Sequence, residues 1–268
     1  MDICLHIQEE NGNSNASWCR MAMQSMQRRV ISLFTGAGGL DIGFEKAGFE
    51  ISIAVESDPA CCSTLRANRP SLIVIEDKIE NIPSEKILTL SGLQPLETDL
   101  VIGGPPCQPF SLAGERRGLE DPKGMLLMEF VRVIRETLPK GFVLENVKGL
   151  LNWDGGRARD LLLTELVKPI SYKGKTYQYE VEVRLLNACD YGVPQKRERV
   201  VFVGNRIGVK FKFPTPTHAD KTIASIKKLK KYRTVWDAIG NLPPPDEPSE
   251  TAKMVAQTIR GRIAKHGY

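Results

Sequence analysis

The sequence predicts an α/β protein built on a mostly parallel, doubly wound sheet. Short apolar, β-branched runs alternate with helix-patterned segments from Val30 to Val203. A glycine turn joins the first run directly to the first helix. Carboxylates or rigid loops follow several of the runs at their carboxyl ends, where open α/β sheets bind their ligands.

Composition narrows the class. A chain of 268 residues, 41% apolar and 26% charged, can form one main globular domain with extras. No run approaches the roughly 18 apolar residues of a membrane span. The start, Met1-Asp2-Ile3-Cys4-Leu5-His6, has no basic residues before an apolar core, so no secretory signal is expected. The cysteines at 4, 19, 61, 62, 107 and 189 form no CxxC pair and no disulfide-like spacing. The three histidines lie far apart, so no metal site is expected. A reducing, cytoplasmic and nucleoid-associated location follows. The net charge of +5 is uneven: Asn205 to Arg233 carries nine Lys/Arg against Asp220 alone, leaving about −3 elsewhere. Such a segment suits phosphate neutralisation or, equally, a solvated face.

Residues 1–28 are polar and aperiodic and read as a poorly ordered leader, with Met21, Met23 or Met26 as alternative starts. Val30 to Phe34 is the first strand, and Thr35-Gly36-Ala37-Gly38-Gly39-Leu40 follows at once, leading into a helix from Asp41 to Ala47. Strand, glycine turn and helix in that order let a ligand approach backbone N–H groups over a helix N-terminus. Alone, the turn is equally a tight βα connection. Ile51 to Val55 is a second strand ending in Glu56, about 20 residues on, where an acid can accept from both hydroxyls of a ribose. Asp58 caps a helix through Asn68, with Pro59 in its first turn. Leu72 to Ile75 is a third strand, ending at Glu76-Asp77. The glycines do not give the GxGxxG spacing of a dinucleotide turn, which argues against NAD.

Asp99 to Ile102 is a buried strand, broken by Gly103-Gly104-Pro105-Pro106, which present Cys107 at its carboxyl end. A polar, glycine-containing stretch from Leu112 to Lys123 has the make-up of a lid. A helix from Met125 to Thr137 carries Leu126, Phe130, Val133 and Ile134 on one face. Phe142 to Leu144 is the next strand, running into Glu145-Asn146-Val147. A helix from Ala158 to Val167 and an alternating strand from Tyr179 to Leu186 follow. A turn-rich connection then delivers Gln195-Lys196-Arg197-Glu198-Arg199, and Val200 to Val203 closes as a strand. Asn241 to Asp246 reads as an extended linker before a short basic tail, Thr251 to Tyr268.

Pro106-Cys107-Gln108 with Pro109-Phe110-Ser111, Glu145-Asn146-Val147 and the Gln195-x-Arg197-x-Arg199 pattern resemble the motifs of the cytosine-5 DNA methyltransferases. The resemblance covers residues 30 to 245. It implies a Rossmann-like, S-adenosylmethionine-dependent methyltransferase fold. The cofactor site would comprise Phe34, Thr35, Gly36, Gly38, Gly39, Glu56, Asp77 and Pro106, although Glu76 stands where the family commonly has glycine. The substrate would be cytosine flipped out of double-stranded DNA. Cys107 would add to carbon 6 as a thiolate, a minor form of a free thiol of pKa about 8.5. Glu145 would address N3 and the exocyclic amine, Arg199 would hold O2, and Arg197 would help to draw out the thiolate. Gln108, Ser111, Arg116 and Gln195 would contact DNA, with segment 205–233 on the phosphates.

Family members continue with a target-recognition region and two further motif blocks, and neither is found after Pro248. The expected organisation is a leader (1–28), a catalytic domain (29–240) and a linker with tail (241–268), truncated before target recognition. A second polypeptide supplying the rest is the expectation, with a restriction-modification role among the possibilities. An inactive relic, a binding protein of methyltransferase fold and a tRNA cytosine-5 methyltransferase are the alternatives. Phe110-Ser111, where the tRNA enzymes carry Pro-Phe-Thr, favours DNA.

Overall fold

The computed structural model describes residues 28–106 and 125–242, with 250, 253, 254, 257 and 258. Most of the expected leader therefore lies outside the described residues. The chain divides into two compact units: one takes the residues up to Asn187 with Arg197–Thr215, the other Ala188–Lys196 with the chain from Pro216 onward. The boundary expected at 241 falls inside the second unit.

The first unit is organised by a seven-stranded sheet. Its strands are β1 (Arg28–Leu33), β2 (Phe49–Glu56), β3 (Val74–Glu76), β4 (Leu100–Gly103), β5 (Gly141–Val147), β8 (Glu180–Asn187) and β9 (Glu198–Asn205), in the order β3-β2-β1-β4-β5-β9-β8. β1 to β5 are mutually parallel, and β9 runs against both its neighbours. Strand order reverses between β1 and β4, so a crevice opens at their carboxyl ends. The connecting helices are α1 (Gly39–Lys46), α2 (Pro59–Asn68), α3 (Ser84–Ser91), α4 (Met125–Thr137), α5 (Gly149–Asn152) and α6 (Arg157–Val167).

Period-2 alternation splits most of the sheet's apolar residues between two layers, and the irregular β1–β2 register between Val30 and Ile31 puts Ile51 and Ile53 in opposite ones. Ile31, Leu33, Ile53, Val101, Phe142, Leu144 and Phe202 join the larger core with α3, α4 and α6. Val30, Ile51 and Ile102 face the other way, against Leu40 and Phe44 of α1. Farther along that second face, Val143, Val201 and Val203 are only half-buried.

The expected elements are present, with ends displaced by one to a few residues where backbone pairing outlasts the apolar pattern. Asp58 caps α2 by accepting from Cys61 N at 2.9 Å, with Pro59 next, as its sequence predicts. Tyr179 is not a strand residue: it is buried, and its hydroxyl donates to Pro139 O at 2.7 Å. The sequence did not announce α3, held between Pro83 and left-handed Gly92, nor the hairpin β6 (Ile170–Tyr172) and β7 (Lys175–Tyr177). Both are too short to show a period.

The second unit holds β10 (His218–Ala219), α7 (Lys221–Lys227), β11 (Lys230–Lys231) and α8 (Val235–Ile239). Local caps organise it: Asp220 accepts from Thr222 N and Ile223 N, and Thr234 with Asp237 forms a capping box. Tyr232 anchors the unit by donating to Asp190 Oδ1 at 2.7 Å. Residues 250, 253, 254, 257 and 258 are helical. No helix among the described residues is long and apolar enough to cross a membrane.

Candidate active site

The turn after β1 is wound by three left-handed residues in five: Phe34 (φ 53°), Gly36 (φ 58°) and Gly38 (φ 86°). A bulky residue in that region is strained, and such strain is held at functional sites when the surroundings impose it. Here they do. Thr35 N donates to Val55 O and Gly38 N to Thr35 O. A Cβ on Gly38 would stand 2.8 Å from the Arg69 guanidinium. Gly39 then opens α1.

Glu56 ties this turn to the next strand. Its Oε2 accepts from Gly36 N at 2.7 Å, and its Oε1 accepts from Ser57 N and Asp58 N at 2.8 Å each. Asp77 follows β3 and donates its own N–H to Glu56 O. Asn81 Nδ2 and Lys78 N donate to Asp77 Oδ1, and these bonds hold its carboxyl below the usual range. Glu76 is turned to an ion pair with Arg66 of α2. Thr35, Gly36, Glu56 and Asp77 thus form one linked edge of the crevice. Open space lies within 4 Å of where a Cβ on Gly36 would stand. An acid at the end of β2, a second after β3 and free space over a helix N-terminus fit a nucleoside cofactor with an amino-acid tail.

Beyond the switch point the site is made of side chains. Gly103 passes so close to β1 that a Cβ there would meet Leu33 O at 2.6 Å. At Gly104 a Cβ would stand 3.2 Å from Glu145 Oε2, so this glycine makes room for the carboxylate. Buried Asn146 donates from Nδ2 to Pro105 O at 3.1 Å and fixes the strand's exit. The described chain runs to Pro106. Cys107, Gln108, Ser111 and Arg116 lie outside the described residues, as does the expected lid.

Arg199 Nε lies 2.9 Å from Glu145 Oε1. The register explains the meeting. Glu145 pairs with Val201 and Val147 with Arg199, so Glu145 and Arg199 are diagonal neighbours on one face of an antiparallel pair. Because β9 runs backwards, its first residues lie at the carboxyl end of β5. Both side chains are about three-quarters buried, at 25% and 30% exposure, so they are ordered yet reachable. Beside them, Lys148 Nζ pairs with Glu198 at 3.0 Å.

Arg197 is exposed, and its N–H donates to Asn187 Oδ1 at 3.0 Å at the root of the connection. Gln195 belongs to the second unit, where its N–H donates to Val193 O. Lys210, Lys212, Lys221, Lys227, Lys228, Lys230, Lys231 and Arg233 are exposed, as a phosphate-binding segment requires. Arg206 is a correction. Its guanidinium donates to the carbonyls of Leu96, Leu138 and Pro139 and lies over Tyr177, 5.4 Å from the ring centroid, so it staples loops together. Sequence reasoning also gave no contact in the site to Gly104, Asn146 or Asp41. The first two stand inside motifs it had singled out, and Asp41 looks like an ordinary acid in a helix's first turn.

Residues 28–265 match the profile of C-5 cytosine-specific DNA methylases, past the expected limit at 245. The type II methyltransferase M.AquIA of Picosynechococcus sp. is 56% identical over 248 residues, covering 91% of this chain and 100% of that relative. The type II methyltransferase M1.HphI of Haemophilus parahaemolyticus is 40% identical over 220 residues, covering 81% of this chain and 54% of that one. Among solved structures, a prophage-encoded E. coli protein described as a DNA modification methyltransferase superposes with a TM-score of 0.63 at 28% identity, covering 82% of this chain and 56% of that chain. The chain therefore spans one relative in full and about half of the other two. It belongs to the C-5 cytosine-specific DNA methylase family.

Proposed function

We propose that the chain is the catalytic part of a DNA (cytosine-5-)-methyltransferase, acting on cytosine flipped out of double-stranded DNA with S-adenosylmethionine as methyl donor. The observation that carries this reading is the Glu145–Arg199 pair, set beside the strand exit that leads to Cys107 and one strand from the Glu56-tied turn. S-adenosylmethionine, when bound, supplies an electrophilic methyl group on a sulfonium. Backbone N–H groups of the turn other than those of Gly36 and Gly38 would receive its carboxylate, Glu56 its ribose hydroxyls and Asp77 its adenine amine, with Phe34 and Pro106 bounding the site.

Cytosine carbon 5 is a poor nucleophile until the ring's aromaticity is broken. The Cys107 thiolate does this by forming a bond from Sγ to carbon 6, pushing electron density to carbon 5 and, through the ring, toward N3 and O2. A proton shared between Glu145 and N3 offsets the negative charge that develops there. The other Glu145 oxygen accepts from the exocyclic amine, and Arg199 holds the carboxyl group in place. Arg199 has further N–H donors for O2. Once carbon 5 has taken the methyl group, loss of its proton to a base breaks the Sγ–carbon 6 bond, releases the Cys107 thiolate and restores the ring. Asn146, by holding Pro105, fixes the base of the loop that carries the nucleophile.

The eight exposed basic residues between 210 and 233 are suited to DNA phosphates, and that substrate implies a location with the nucleoid. The target-recognition portion is supplied by a second polypeptide. A named type II methyltransferase matched along its whole length by 248 residues supports this. The test is transfer of labelled methyl to mixed-sequence duplex DNA, by the chain alone and with the product of the adjacent reading frame. 5-Methylcytosine formed only in the mixture is the expected result. Its absence from both, with cofactor bound, would favour a binding protein.

A further inference from the structure

Asp41 is fully buried in the first turn of α1, yet the family chemistry gives it no task. Its Oδ1 lies 2.6 Å from Ser32 Oγ, and its Oδ2 has no hydrogen-bond partner among the described residues. Ser32 Oγ is in turn 3.1 Å from Thr35 Oγ1, which also reaches Ser32 O at 3.2 Å and Val55 O at 3.3 Å. All three side chains are buried. The chain of hydroxyls therefore begins under α1, crosses β1 and ends inside the turn whose Gly36 N–H is held by Glu56.

We propose that Asp41 is a positioning residue of the cofactor turn, acting through Ser32 on Thr35. The proposal rests on the reading of residues 34–39 as the cofactor turn. Counting protons gives the form in which Asp41 works. With Asp41 ionised, Thr35 Oγ1 donates to Ser32 Oγ and Ser32 Oγ donates to Asp41 Oδ1. With a proton on Asp41 Oδ1 both hydroxyls turn round, so Asp41 donates to Ser32 Oγ, Ser32 to Thr35 Oγ1 and Thr35 to a backbone carbonyl. Every donor is then used, and only one carbonyl-type oxygen is left over. If Asp41 is ionised, a charged oxygen is buried with no partner, which costs far more than a neutral one. Burial accordingly pushes its carboxyl above the usual range, against the opposing pull of Ser32. The charged groups facing it are Arg69, at the end of α2, and Glu45, one turn along α1. These two close on each other at 2.7 and 2.9 Å. A neutral acid of this kind serves as a fixed hydrogen-bond donor.

The experiment is calorimetric binding of S-adenosylmethionine to the full chain, with thermal midpoint recorded for each variant. Asp41→Asn, which keeps shape and a donor without charge, is expected to bind within about twofold of the parent. Asp41→Ala is expected to bind about tenfold more weakly, consistent with one or two lost net hydrogen bonds. Ser32→Ala breaks the relay at its middle and is expected to follow Asp41→Ala, so the result stands if Asp41→Ala fails to fold. Glu56→Ala is the control for the cofactor reading. Asp41→Asn as weak as Asp41→Ala, or Ser32→Ala as tight as the parent while Glu56→Ala is weakened, overturns the positioning role alone. No binding by the parent overturns the cofactor reading and this proposal with it.

Discussion

The two sides of the crevice are built from different materials. On the β1–β2–β3 side, carboxylates hold backbone: Glu56 takes three N–H groups, and Asp77 takes one with an Asn amide. On the β5–β9 side, a carboxylate is held by a guanidinium across an antiparallel pair. A frame of backbone bonds fixes the shape of a binding surface whatever the ligand does. A side-chain ion pair can share its donors and acceptors with an incoming base, then re-form when the base leaves. The first construction suits a cofactor that must always sit in one place. The second suits a substrate whose charge changes during the reaction.

That contrast predicts separable failures. The largest effect is expected at the nucleophile: Cys107→Ala should abolish methyl transfer while S-adenosylmethionine binding, measured by calorimetry, is unchanged. Next comes Glu145→Gln, which keeps size but removes the charge that Arg199 holds. Turnover should fall by about 10²–10⁴, the range for a lost acid–base group, again with the cofactor's Kd unmoved. On the other side, Glu56→Ala should weaken the cofactor by about ten- to a hundredfold, with turnover at saturating cofactor largely kept. Loss of cofactor binding in Glu145→Gln would break the division between the two sides.

The smallest effect concerns stability and pH. A buried acid with a raised folded-state value binds more protons folded than unfolded. Its contribution is therefore complete below the ordinary Asp value of about 4 and declines as pH rises above it. Between pH 5 and pH 8 the parent should lose more of its thermal midpoint than Asp41→Asn. Parallel pH curves for the two proteins would show that Asp41 is ionised in the fold.

Much of this was legible in the residues. Strand–turn–helix order, the acids ending β2 and β3 and the motifs around Cys107 and Glu145 are local patterns, and local patterns survive in a linear reading. The register that brings Arg199 diagonally onto Glu145 is not local, because it depends on β9 running backwards. Arg206 shows the opposite error. Its place in a basic segment suggested phosphate, and only the fold reveals three carbonyls from two loops converging on it. Asp41 was hidden for a third reason. An acid in a helix's first turn is ordinary, and its burial against Ser32 follows from which face of β1 meets α1.

The most direct test of the central claim is to trap the Cys107 bond. In duplex DNA carrying 5-fluorocytosine, fluorine replaces the proton that must leave carbon 5, so the enzyme should remain attached. With S-adenosylmethionine and the adjacent gene product present, the account predicts a covalent protein–DNA species whose peptide map places the base on Cys107. Cys107→Ala should form none. Methylated cytosine accumulating on ordinary DNA with no adduct on the fluorinated duplex, or an adduct that persists in Cys107→Ala, would contradict it.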